Sequence, residues 1–367
     1  MVARNSSHIP TDRSNMFYWQ VDRPFTDMEA DQIFLHRFDS YDRALAHKAV
    51  AYGMQKFGKS STDAQVISSE EIRVFGSVNI VLKAVLFDGT SVIYRQHPQK
   101  AKNGYFWVEK VATELARAAM VPTYQTYYVD DTQKEFPFDF MLMECLPGVN
   151  IRTQWPLDKS LEQSLITQTG SLLARIHSVK TTQFGFFDNV LAKSQGVLQG
   201  IHSEWTDHIY ASLEANVEYL ANTNTISAQD VKRIMSVFEK NKSFITCTNP
   251  TIVHNDLADW NELSVRDKVT GILDWDECYS GDPIADFAAW NVFFPAERMQ
   301  YLIAGYTQIS SLPENFDEKF HLYRLRYCLS KAVLRKRKFD FLKDQQMEHL
   351  LGFALDAIQS ELHIITR

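Results

Sequence analysis

Val253-His254-Asn255-Asp256-Leu257-Ala258-Asp259-Trp260-Asn261, followed ten residues later by Gly271-Ile272-Leu273-Asp274-Trp275-Asp276, is the stretch on which the fold reading turns. Its first part spells H-x-D-L-x-x-x-N, and its second is an apolar run that ends in Asp-aromatic-Asp. The β-branched residues at both ends make 251–275 a β-like stretch, with polar residues gathered where the strands would turn. On either side the apolar residues recur at helical spacing, upstream over 161–178, 205–221 and 228–239, and downstream from Asp286, over 317–341 and over 348–362. The stretch is therefore a short β element set into a helical region.

Further upstream the pattern inverts. Val66-Ile67, 72–75, 80–87 and 91–95 are rich in β-branched and aromatic residues, and Phe87-Asp88-Gly89-Thr90 carries the Asp-Gly pair of a tight hairpin. A helix is expected over 105–119, then strands at 124–129 and 138–145, closed by Leu146-Pro147-Gly148. Before these strands, helical spacing over 27–38 and 41–57 marks an N-terminal extension, and Gly58 with the polar run after it reads as its stop. The fold class is α+β in two lobes: a helical extension over 1–62, a small β-rich lobe over 63–147, and a larger helical lobe over 148–367.

Phosphoryl transfer to a hydroxyl explains why these residue types stand in this order. The hydroxyl must be held in line with the γ-phosphate and loses its proton late, so an adjacent carboxylate suffices as base. Asp256 is the candidate, with His254 bracing the loop. Mg2+ takes oxygen ligands and keeps several waters, and Asn261 and Asp274 offer an amide oxygen and a carboxylate from two sides of a hairpin. The order resembles the kinase pattern, which also has a cation on the third strand and a helix carboxylate that orients it. Arg95 and Glu109 lie where those are expected, while Lys83 falls one strand too early. Gly76 and Ser77, in the turn Phe75-Gly76-Ser77-Val78-Asn79, are placed to meet phosphate, and the backbone of Glu144 and Leu146 to meet an adenine edge.

With these residues in view, the chain resembles the superfamily of aminoglycoside phosphotransferases and choline-kinase-like small-molecule kinases. The resemblance runs over roughly 64–340 and is carried by His254 to Asn261, Ile272 to Asp276, Gly281-Asp282-Pro283 with Asp286-Phe287-Ala288, Leu172 to His177, and Leu146-Pro147-Gly148. Phe184-Gly185-Phe186 with Trp205 is similar to an insert of hygromycin-type kinases. The resemblance implies a protein-kinase-like fold, ATP or GTP as co-substrate, and a small molecule as hydroxyl acceptor. The chain departs from the family pattern at three places: Asn255 where Gly is common, Arg95 where Lys is usual, and Asp259-Trp260 where small residues are frequent. From Asp274 the chain passes through Trp275 straight into Asp276 to Pro283, with neither an activation loop nor an A-P-E motif, which disfavours a protein acceptor.

Composition bounds the partners. The 367 residues are 45% hydrophobic, and 38 Lys and Arg stand against 45 Asp and Glu for a formal charge of −7, which disfavours nucleic acid. Four cysteines without a C-x-x-C pair read as reduced thiols, and with no apolar run of membrane-spanning length the protein is expected in the cytoplasm. For the acceptor, the carboxylates Asp259, Asp276, Glu277 and Asp282 and the rings Trp260, Trp275 and Trp290 suit a cationic, aminoglycoside-like molecule. A small metabolite such as an amino alcohol, sugar or vitamin is the alternative acceptor, and a catalytically inactive kinase-like binding module is the alternative to an enzyme. Arg324, Arg326, Lys331, Arg335, Lys336, Arg337 and Lys338 are expected to form a mostly solvated face.

Overall fold

In the computed structural model, residues 32, 35–39, 41–73, 79–99, 105–343 and 345–367 are described. Gly76 and Ser77, and most of the helix expected over 27–38, lie outside them. Helix α1 (Arg43–Phe57) is opened by Asp42, whose carboxylate accepts the Ala44 and Leu45 N–H groups, and is closed by Gly58 at φ 118°. Strands β1 (Val66–Ile72), β2 (Ile80–Leu86), β3 (Ser91–Gln96), β4 (Thr126–Asp130) and β5 (Phe140–Glu144) build one antiparallel sheet in the order β1-β2-β3-β5-β4. Alternation is strict in β2, where Ile80, Leu82, Ala84 and Leu86 all point into protein.

The two faces of the sheet are covered differently. Ala46, Ala49, Val50 and Met54 of α1 lie against one face and share a small core with Leu82, Tyr94, Phe140 and Leu142. Gly53 permits this approach, since a Cβ there would stand 2.6 Å from Leu142 Cδ1. The helix expected in the extension is thus part of the packing of the first lobe. Helix α2 (Phe106–Ala118), between β3 and β4, belongs instead to the main core, which continues without a break into the second lobe.

The chain crosses between lobes after β5 and enters β6 (Val149–Asn150), which joins β10 (Glu262–Val265) and β11 (Lys268–Ile272) in a sheet of order β11-β10-β6. A short 3-10 turn (Ile151–Gln154) leads to α3 (Lys159–Ile176). A second sheet of the larger lobe, order β8-β7-β12-β9, unites β7 (Phe184–Phe187), β8 (Gly200–His202), β9 (Thr251–Val253) and β12 (Tyr279–Gly281), with α4 (Asn189–Gln195) between β7 and β8. It corrects the expectation of a single β interruption. Strands of three or four residues are too short to display a period, and three of these four have residues buried on both faces.

The remaining helices are α5 (Trp205–Asn222), α6 (Ala228–Lys240), α7 (Ile284–Phe293), α8 (Ala296–Thr307), α9 (Phe316–Leu342) and α10 (Gln345–Ile365). Long α9 runs through the lobe, packed on α5, α7 and α10. This corrects the solvated face expected there. Arg326 and Arg337 are buried, Arg324 is bonded to the buried Glu361, and none of the seven cations is fully exposed. A helix covered on several sides has no free face, so its cations snorkel or pair. Among the described residues no helix is long and apolar enough to cross a membrane.

Candidate active site

The loop after β9 is shaped by hydrogen bonds to distant elements. Asp286, in the first turn of α7, accepts the backbone N–H of His254 at 2.8 Å and that of Asn255 at 2.7 Å. His177, at the end of α3, meets the same carboxylate at 3.0 Å, and its other ring nitrogen meets the Tyr306 hydroxyl at 3.2 Å. The His254 ring contacts Leu273 O at 3.0 Å and lies against Trp275, bridging the two halves of the motif as a brace. Burial holds its pKa below the usual imidazole range, so its polar role is hydrogen bonding. Asn255 has φ 69°, in the region that Gly and Asn enter most readily, and its Oδ1 accepts the Tyr327 hydroxyl. Asn enters that conformation more readily than most residues other than Gly, which accounts physically for Asn here.

Asp256 is 7% exposed. Its carboxylate Oδ2 and its carbonyl both accept Nδ2 of Asn261 at 2.8 Å, which fixes the Asn261 amide and leaves its Oδ1 to face elsewhere. Leu273 N–H donates to Asn261 O at 2.8 Å, at the end of the β10–β11 ladder, and so brings Asn261 beside Asp274. Asp274 itself sits at φ 63°, with its side chain 39% exposed.

Arg95 and Glu109 meet as the spacing implied. Both are buried, Arg95 Nη1 donates to Glu109 Oε1, and the Tyr124 hydroxyl donates to the same oxygen. Arg95 Nη2 reaches across the lobes to Asp274 Oδ1 at 3.2 Å and Asp276 Oδ2 at 3.6 Å. Burial by itself pulls the guanidinium pKa down, but Glu109, Asp274 and Asp276 outweigh it and leave it raised. Burial likewise pushes the Glu109 carboxyl up, against the pull of Arg95. A Lys in this place would offer one ammonium, whereas the Arg fork spans three carboxylates from both lobes.

At the lobe junction, Glu144 N–H is already donated to Gln125 O at 2.8 Å, and its carboxylate accepts from Arg117 and from Gln125 N. The Leu146 N–H has no hydrogen-bond partner among the described residues. On the acceptor side, Asp259 is buried beside Arg152, whose Nη1 lies 3.3 Å from Oδ2, while burial raises the Asp259 pKa. Glu277 is buried, and Asp282 is engaged by Lys319 at 2.8 Å and by Tyr323.

Two of the three rings expected at the acceptor are core residues. Trp275 is fully buried and donates to Thr123 Oγ1 and Ile272 O, and Trp290 is buried and stacked on Phe294. This corrects their assignment as stacking surfaces. Trp260 alone is partly exposed, edge-on to Phe293. Sequence reasoning assigned no role to Asp286, His177, Tyr124 or Tyr327. Asp286 and His177 did stand in recognisable signatures, but their partnership joins elements over a hundred residues apart and leaves no local trace.

The donor set fits a hard cation. Asn261 Oδ1 and the Asp274 carboxylate are both oxygen donors, and the exposure of Asp274 leaves room for water or phosphate as further ligands. Among the described residues no group of three or more His, Cys, Asp and Glu could hold a metal alone. An ion here would therefore share its shell with a ligand.

The model of the family described as APH, phosphotransferase enzyme family, matches residues 84–314. Among solved structures, a thermostable mutant of aminoglycoside phosphotransferase APH(4)-Ia, in a ternary complex with AMP-PNP and hygromycin B, superposes with TM-score 0.60 at 18% identity, covering 85% of this chain and 98% of that one. A candidate aminoglycoside phosphotransferase of Ralstonia eutropha gives TM-score 0.65 at 15% identity over 87% of this chain and 98% of that one. A candidate fructosamine-3-kinase of Thermobifida fusca gives 0.58 at 17% over 85% and 99%. These likenesses show a shared fold. No curated protein matches the chain.

Proposed function

The chain belongs to the phosphotransferase enzyme family, and from that premise we propose that it moves the γ-phosphate of ATP or GTP to a hydroxyl of a small molecule. The observation that carries this reading is the reach of Arg95 from the first lobe, where Glu109 orients it, to Asp274 in the second. It puts a fixed cation beside the carboxylate of a hard-ion site, as phosphate binding requires. Asp256 acts as base: it holds the acceptor hydroxyl in line and takes its proton as the new P–O bond forms and the bond to the leaving diphosphate breaks. Asn261 and Asp274 would hold Mg2+, which supplies charge neutralisation on the phosphates when bound. Leu146 N–H, and the Glu144 carbonyl, would meet the adenine edge, and Gly76 and Ser77 the phosphates.

Among acceptors, the neighbour bound to hygromycin B supports an aminoglycoside-type molecule. A specific observation favours a second reading. The carboxylates that would attract a polycation are engaged internally, Asp259 with Arg152, Asp276 with Arg95 and Asp282 with Lys319. A neutral hydroxylated metabolite resting on Trp260 fits that surface equally. A nucleotide-coupled screen of aminoglycosides against sugars and other uncharged hydroxylated metabolites separates the two. Asp256→Ala should bind Mg2+-nucleotide as the parent does and lose turnover by about 10³-fold or more. Turnover surviving in that variant would show that another group is the base. Asp274→Ala should lose the Mg2+-dependent part of nucleotide binding, and a protein that binds no nucleotide at all would instead be an inactive binding module.

A further inference from the structure

A groove of about 740 Å³ runs along the lobe junction beside Pro147, and none of Arg95, Glu109, Asp256, Asn261 or Asp274 lines it. Its volume is that of a small-molecule site. The first lobe contributes Arg117 and the segment Met120 to Thr123, and the second contributes Arg175 from α3 and Lys268 from β11. No acidic side chain is among its lining residues. Arg175 and Lys268 form no ion pair among the described residues, and Arg117 Nη1 is shared between Thr123 O and Glu144. In a chain of net charge −7, a groove whose walls carry two unpaired cations, Arg175 and Lys268, beside the ion-paired Arg117, and no carboxylate of its own, is a local inversion of sign.

The apolar part of the groove is also built. Val121 and Val269 are buried in its wall beside half-buried Leu172, while Met120 is 74% exposed at its rim. Met120 holds φ 65°, a conformation that costs a non-glycine residue backbone strain, at the point where α2 is closed by Met120 N–H to Arg117 O and Val121 N–H to Ala116 O. Helices commonly place Gly there, and Gly would present no side chain to the groove. The same wall is bonded to β11, the strand that leads to Asp274. Ile272 N–H donates to Pro122 O at 2.8 Å, Thr123 Oγ1 donates to Ile272 O at 2.7 Å, and Trp275 Nε1 donates to Thr123 Oγ1 at 3.1 Å.

We propose that this groove is a second ligand site, for a small amphiphilic anion that rests an apolar body on Met120 and Val269 and places its negative groups at Arg175, Lys268 and Arg117. Because those cations come from both lobes, an occupant ties the lobes together, and the contact with Trp275 transmits its presence toward Asp274.

Naphthalene trisulfonate, an apolar ring with anionic groups, is the probe. It is titrated into the full-length protein with Mg2+-ADP present in excess to block the nucleotide site, and followed by calorimetry and by tryptophan emission. The expected result is saturable binding at one site, weakened by salt, with a change in tryptophan emission. Lys268→Glu and Arg175→Glu should each weaken it at least about tenfold, and Met120→Gly should weaken it without lowering the melting temperature. Arg175→Gln replaces Arg175→Glu should the latter unfold. Absence of saturable binding, or equal binding by the Arg175 and Lys268 variants, would overturn the proposal. Inorganic phosphate binding as tightly as the probe would overturn its apolar part.

Discussion

At the scale of single residues the site depends on Arg95. Among the described residues, its guanidinium and the Tyr124 hydroxyl are the partners of the Glu109 carboxylate, whose Oε2 is buried without a hydrogen bond. Arg95→Ala leaves that carboxylate uncompensated and should cost about 3–5 kcal/mol in urea denaturation. Arg95→Lys keeps the charge but loses the fork, so its loss should be about 1–3 kcal/mol, with weakened contact to Asp274 seen as lower nucleotide affinity. His97 makes a second residue-level case. Burial, aided by nearby Arg95, pulls its pKa down to about 3, so the fold holds it neutral while the unfolded chain protonates it below about 6.5. Stability is then full above pH 6.5 and falls as pH drops from there toward 3, by at most about 5 kcal/mol. His97→Gln should flatten that acid limb in melts recorded from pH 7 to pH 4. Arg95 and Glu109 were legible in the sequence because their chemistry is tied to the order of strands and helix. Tyr124 was not, because a Tyr on a short extended segment looks like any other core ring.

At the scale of elements, α3 and α8 cross at two glycines. A Cβ on Gly170 would lie 2.0 Å from Leu302 O, and one on Gly305 would lie 1.8 Å from Thr167 O. Backbone stands in both places, so no side chain can move aside. Gly305→Ala should force the helices apart at a cost of about 1–3 kcal/mol. Because α3 ends in His177, which holds Asp286, the same variant should lower turnover beyond its effect on stability; unchanged kinetics at a temperature where it is folded would show that the helix pair carries no positional information to the loop. The sheet of the first lobe, the Asp-Gly hairpin, α2 and the long helices were all legible from period and turn chemistry. Strands β7, β8 and β12 were not, and neither was the burial of α9. Its charged residues looked solvent-facing in one dimension, and only packing on several sides reveals that Arg326 reaches Ser212 and His208 instead.

For the whole molecule, the division into two cores matters more than the division into two lobes. The large core includes α2 and runs through the second lobe, while the small one holds α1 against the outer face of the sheet. Local stability follows buried contact, so amides of α1 and β1 should exchange with deuterium faster than those of α7 and β9. Ala49→Asp puts a charge where exposure is zero and should accelerate exchange in α1 and β1 while sparing α7 and β9. Uniform acceleration would mean that the cores unfold as one.

The hold of Asp286 on His254 and Asn255 has a consequence for biosynthesis. A nascent chain that has emerged as far as β12 contains every residue of the proposed catalytic set, yet lacks the carboxylate that shapes their loop. Domains form as units once enough chain is available to pack. The geometry of that proposed set thus arises late, when α7 docks beside α3, and a truncated or half-made product is left without it.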